Sequence, residues 1–338
     1  MSLARTQEYT CGWGRVKQTD IATANLLAGI WRLSKLNAWA QKKLNVEGDA
    51  DYLGKSHEFQ TESAPVSWDC TGSIEKHLTS EIAAWAFAFG LGTVTESPAG
   101  TYTCVPLVSA TSGYELPYFS FLQAVRQGAS VVEDEMMVGC AVNDFLISVG
   151  YGPGRANSKI TINFVGSGKL VEPSAITIPA ATAEHLLPSS SLAFTLISID
   201  YVSLKRIVSL EFGWNNNIMT DFGFYPGSGA QATVGGAIRG RLLCGKRQPI
   251  LKYVALVENG STEWTKLKAS TTGTAVITAT NTAAETFTAT YQQVKITVAD
   301  HADAEGFVAV TVETIPEYHS SNAVLSVVAK TAVTGIGQ

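Results

Sequence analysis

Charged side chains are scarce in this 338-residue chain: Asp, Glu, Lys and Arg make up 16% of it, against ~25% in an ordinary soluble domain. With 24 basic and 29 acidic residues the formal net charge is −5. That balance argues against a protein that grips a nucleic-acid backbone through a basic groove, though not against a surface that DNA slides past. Cysteine pairing signals are missing too. The five cysteines, at 11, 70, 104, 140 and 244, form no CxxC or CxxH unit. They are expected as buried or reduced thiols of a cytosolic protein, not as a disulfide framework or a zinc site. None of the five histidines begins an HxxxH or HExxH motif, and His301 beside Asp300 and Asp303 reads as a solvated loop.

Long apolar runs are also lacking. No stretch reaches the ~18 residues of a membrane-spanning helix, and the opening Met-Ser-Leu-Ala-Arg-Thr-Gln-Glu-Tyr-Thr has no apolar signal core. A chain made in the cytoplasm, with no membrane insertion, is expected. Catalytic motifs fail one by one. Gly240-Arg241-Leu242-Leu243-Cys244-Gly245-Lys246 has phosphate-loop spacing, but Arg247 stands where a magnesium-binding hydroxyl is needed. Ser167 and Ser228 lack the strand-to-helix elbow of a hydrolase nucleophile, and Gly150–Gly154 reads as a turn. No catalytic residue, metal or cofactor is expected.

What is present points to strands. Thirty glycines, many Thr, Ala and Val, and a 46% hydrophobic fraction suit a strand-rich chain or one that buries surface in an assembly. The length suits one large β domain or two smaller ones. Alternating apolar and polar residues predict strands at Tyr102–Leu107, Tyr118–Leu122, Phe145–Val149, Ile160–Val165, Phe194–Ile199, Val202–Leu204 and Val208–Trp214. Residues 58–76 read as extended, and Asn215-Asn216-Asn217 as a turn. Further strands are expected at Leu251–Val257, Val294–Val298, Phe307–Val312 and Val324–Val328, with Asn259-Gly260 as a hairpin turn into Trp264–Leu267.

One helix interrupts this pattern. Thr79 or Ser80 can cap it, Glu81 suits its positive end, Ile82, Trp85, Ala86 and Phe89 fall on one face, and Gly90 and Gly92 supply the stop. Residues 21–45 have a different character, with Trp31, Leu36, Trp39 and Leu44 among Arg32, Lys35, Lys42 and Lys43. They read as an amphipathic helix, or a long loop or arm, that packs on its own protein or on a neighbour.

The order of several segments resembles that of the tail tube proteins of tailed bacteriophages and related prophages. The likeness runs through Asp51–Lys55, Glu58–Thr61, Trp68–Glu75, the helix ending in Gly92, and Leu116-Pro117-Tyr118-Phe119. Its most specific part is Gly139-Cys140-Ala141-Val142-Asn143-Asp144-Phe145-Leu146-Ile147-Ser148, followed by Val165–Lys169 and by Val208–Trp214 ending in Asn215–Asn217. The resemblance implies a mainly β subunit, an antiparallel β-sandwich or barrel-like fold with one packed helix and long loops or arms. It also implies homo-hexameric rings stacked into a virion tail tube for DNA passage. Tape measure, tail terminator and baseplate proteins would be its partners.

On this reading residues 1–50 form an arm or loop region and 51–338 the tube domain, with room for a small added β module within 250–338. The competing expectation is a baseplate or adhesin-type β-sandwich that binds a host surface glycan or protein. It rests on the Thr-rich 258–338 region, whose short strands could form a sandwich. Candidate subunit-contact residues are Trp31, Leu36, Trp39 and Leu44, the acidic Glu133, Asp134 and Glu135, and the basic Arg239 and Arg241. The opposite charges would either meet between subunits or stand in separate solvated loops. Cys140 is expected as a small core residue at the start of a strand.

Overall fold

The structure is a computed structural model that describes residues 9–24, 30–34, 38–51, 59–107, 115–127, 130–151, 158–171, 185–221, 223–224, 237–259, 261–317, 319 and 322–338. In chain order its strands are β1 Tyr9–Gly14, β2 Ile30–Ser34, β3 Ala38–Asp51, β4 Phe59–His77, β5 Gly92–Glu96, β6 Thr101–Pro106, β7 Phe119–Gln127, β8 Ser130–Gly150 and β9 Lys159–Gly166. There follow β10 Leu170–Val171, β11 Ala193–Leu196, β12 Ile199–Asp200, β13 Ile207–Asn215, β14 Gln248–Leu256, β15 Thr272–Thr280, β16 Thr286–Ala304, β17 Phe307–Pro316 and β18 Leu325–Lys330. Helix α1 spans Ser80–Leu91, and the short α2 spans Glu263–Lys268. The chain is mainly antiparallel β with one full-length helix, as its punctuation by glycine and its period-2 alternation require.

Two long strands organise the pairing. One sheet runs β3-β4-β9-β8-β13-β14-β17-β16 in hydrogen-bonded order. A second runs β12-β11-β15-β16-β18-β6-β5, and β2-β1-β7-β8-β10 forms a third. β8 and β16 each belong to two sheets, which is how a strand turns a corner between layers. In β8 the change of partners falls at a bulge: Phe119 faces Cys140, but Phe121 faces Met137. Gly139 sits there with φ +65°, and a Cβ on it would lie 2.2 Å from the carbonyl oxygen of Ile21. Only glycine serves at that bend. The 250–338 region is interwoven with what precedes it, since β14 pairs with β13, β15 with β11 and β18 with β6.

Helix α1 is enclosed by strands of both large sheets, touching β5, β6, β16 and β18 on the one hand and β8 and β13 on the other. The Thr79 hydroxyl accepts from the Ile82 N–H at 3.2 Å to start it, and Gly92 at φ +95° ends it. The expected single apolar face is corrected: Ala83, Ala84, Phe87 and Ala88 are buried as well as Ile82, Trp85, Ala86 and Phe89. A helix this apolar all round belongs inside. Trp85 packs on Trp13, Phe89 and Phe119, and Phe87 on Phe145 and Phe287. Gly90 does not stop the helix. It lies within it, and a Cβ there would meet the Phe145 ring at 2.5 Å.

Three other expectations are corrected. Within 21–45 residues 21–24 form a turn and residues 30–34 and 38–45 lie in β2 and β3, not in a helix, because β2 pairs with β1 and β3 with β4. Val202–Leu204 is a turn: the Asp200 carboxylate accepts from the Val202 and Ser203 N–H groups at 3.1 and 3.0 Å and from the Ser203 hydroxyl, the local bonding that competes with strand pairing. Trp264–Leu267 lies in α2, anchored by buried Glu263, which accepts from Arg206 at 2.7 Å and from the Tyr201 hydroxyl at 3.0 Å. Gly260 lies outside the described residues.

The asparagine cluster at the end of β13 ties α1 to β8 and β13. Asn216 is fully buried. Its amide donates to the carbonyls of Gly90 and Val142 at 2.8 and 2.9 Å, and its oxygen accepts from the Trp214 indole at 2.9 Å. Its N–H reaches the Asn143 carbonyl, and the Asn143 side-chain oxygen takes the Ile218 N–H. The segments Gly139–Ser148 and Val208–Asn217 therefore meet at one joint. Nearby, Gln18 bridges Ser120, the Thr23 carbonyl and the Gly139 N–H.

Candidate functional site: the β3–β4 hairpin

The hairpin of β3 and β4 outruns the sheet that carries it. β9 pairs with β4 from Cys70 to His77, and Ala237 continues that cover, accepting from the Trp68 N–H at 2.9 Å and donating to the Val66 carbonyl at 2.7 Å. Beyond Val66, among the described residues, Phe59–Pro65 and Val46–Asp51 pair only with each other. On the outer edge of β3 the Gln123 side chain blocks one position, accepting from the Ala40 N–H at 3.2 Å and donating to its carbonyl at 3.3 Å. Lys42 is fixed by an ion pair with Glu135 on β8. Past these contacts no described strand pairs with the outer edge of β3. Val46 of β3 and Val66 of β4 are exposed, at 47% and 40%. Two strands alone are marginal in water, and an open edge is a template for another chain.

One face of the same hairpin floors a polar groove. Registers Gln41↔Thr71, Lys43↔Asp69 and Asn45↔Ser67 put these side chains in cross-strand rows. Thr220, Asp221, Phe224 and Arg239 close the other side of a groove of about 540 Å³. Arg239 is its buried anchor, 3% exposed. It binds the Asp69 carboxylate, the Thr220 carbonyl at 2.7 Å and the Gly166 carbonyl at 3.3 Å. The Phe224 ring lies over its guanidinium at 4.5 Å, a cation–π contact. Gly223 allows this placement: φ is +99°, its carbonyl accepts from Gly240, and a Cβ would sit 2.3 Å from the Arg241 carbonyl oxygen. Asn45 donates to the other Asp69 oxygen at 2.7 Å and to Ser67 at 3.0 Å.

The candidate contact residues are divided by the structure. Trp31 lies on β2, opposite Trp13 of β1; Trp39 and half-buried Leu44 lie on β3, opposite Ser73 and Trp68. Leu36 lies outside the described residues. Glu133, Asp134 and Glu135 all lie on β8, opposite Val125, Ala124 and Gln123. Glu135 has an internal partner in Lys42, Arg239 has one in Asp69, and Arg241 pairs with Glu115 at 3.1 Å. Sequence reasoning singled out Arg239 for its charge and missed Gln41, Lys43, Asn45, Asp69 and Asp221. The alternation of polar residues at 41, 43 and 45 was the available signal.

The motif residues set aside above have structural places. Cys11, Cys70, Cys104 and Cys140 are buried free thiols and Cys244 is half-buried. Burial pushes the Cys140 thiol up, and contact with Cys70 adds to this. Cys140 lies inside β8, at its corner, not at a strand's start. No helix follows Lys246, since β14 begins at Gln248. His301 is on β16 with its ring 5.4 Å from Trp264. No described helix is long and apolar enough to cross a membrane.

Comparison with protein-family models and with curated proteins gave no match.

Proposed function

We propose that the protein is a structural subunit that assembles with copies of itself, of the tail tube kind: stacked hexameric rings forming a virion conduit for DNA. The observation that carries this is the open edge of β3, continued by a two-stranded hairpin that lacks other support among the described residues. A ring of head-to-tail contacts supplies a strand or face to every such edge and closes on itself. The mainly β architecture around one enclosed helix and the low charge support the same reading, since subunits that bury surface in neighbours need fewer solvated charges.

Hydrogen exchange tests the edge directly. Amides of Gln41–Val46 should gain protection as protein concentration rises, and the Val46→Glu variant should lose that gain while keeping its monomer fold. Equal exchange at all concentrations would remove the proposal.

A further inference from the structure

We infer that the groove between the β3–β4 face and the side chains of Thr220, Asp221, Phe224 and Arg239 is a binding site for a neutral carbohydrate. This goes beyond the assembly reading and does not depend on it. A volume of about 540 Å³ is within the range of small-ligand sites, ~300–1,000 Å³.

The floor is pre-organised. Both oxygens of Asp69 are held, one by Arg239 and one by Asn45, and Arg239 is itself locked by the Thr220 and Gly166 carbonyls. Groups held this way do not lose side-chain freedom when a ligand arrives.

The lining offers both donors and acceptors. Lys43, Gln41 and Thr71 can donate; Gln41 and the exposed Asp221 can accept. The formal charges of Lys43, Arg239, Asp69 and Asp221 cancel. An anion would face two carboxylates and a cation would face Lys43 and Arg239, so neither gains from the whole set. A neutral polyol, whose hydroxyls each donate and accept, can use donors and acceptors together. Phe224 adds an apolar flank, already fixed over Arg239, against which a sugar's C–H face can rest.

The test is an array of neutral oligosaccharides built from glucose, galactose, mannose and N-acetylglucosamine, followed by titration of any hit by calorimetry. Wild type should bind at least one, and Lys43→Ala and Asp221→Asn should each weaken that binding at least tenfold. Both positions are exposed, and unchanged melting curves would show that the variants fold. No binding to any neutral sugar, or binding unchanged in both variants, overturns the inference. Loss of self-association in these variants without sugar binding would also overturn it, assigning the groove to a second copy of the chain. Self-association that survives in all three proteins, with sugar binding lost only in the variants, supports it.

Discussion

The side chain of Asn216 donates to the Gly90 carbonyl across 126 positions of sequence, at 2.8 Å. That bond takes up a helix-end carbonyl that would otherwise be buried without a partner. The same amide holds Val142, so α1, β8 and the end of β13 share one joint. Asn216→Ala would leave two carbonyls and the Trp214 indole unpaired. Each unmet buried group costs about 1–3 kcal/mol, so a loss of about 3 kcal/mol or more is expected in urea unfolding, with the Trp214 fluorescence shifted.

Backbone conformation gives a second comparison. Gly139→Ala should cost well over 2 kcal/mol, because it adds a Cβ at φ +65° into the Ile21 carbonyl on top of strain of about 1–2 kcal/mol. Gly306→Ala has φ +86° but nothing within 4 Å, so it should cost only the strain. Parallel urea melts of the two variants measure the difference.

Acid should loosen the C-terminal segment first. Glu96 accepts from the N–H groups of Gly100 and Gly335 and from the Tyr102 hydroxyl. The Gly100 bond leads in holding its carboxyl below the ordinary 4.5, and the Gly335 and Tyr102 bonds add to it. A depressed carboxyl stabilises the fold above its unfolded value and loses that contribution as pH falls through the folded value. The protection factors of Val333–Gly337 against hydrogen exchange should therefore fall below about pH 4.5. Glu96→Gln should exchange faster at neutral pH and change less on acidification.

Residues 250–338 expressed alone should not unfold cooperatively. Their strands β14, β15 and β18 would lose β13, β11 and β6 as neighbours, exposing apolar residues such as Leu251, Ile277 and Val327 that are buried in the whole chain. Circular dichroism with denaturant titration checks this. A sharp transition would favour the separate binding module.

The sequence made the helix visible, because Thr79 and Gly92, its caps, and Glu81 in its first turn act locally. Most strands were visible through alternation that one buried face imposes. The β3 edge was hidden by Ile30, Leu33, Leu36 and Trp39, whose three-residue spacing mimics a helix. Pairing with β4 overrides that spacing, and no local residue reports it. Glu263 was hidden likewise, since an acidic residue looks solvated until Arg206 and Tyr201 arrive from elsewhere in the chain. The groove depends on Gly223 and Arg239 meeting β3 and β4, a long-range event of the same kind.

Electron microscopy of the purified chain at high concentration tests the central claim most directly. The open β3 edge and the order of the Gly139–Ser148 and Val208–Asn217 segments predict rings or stacked tubes. A monodisperse monomer at every concentration, salt level and pH that preserves the fold would contradict the claim.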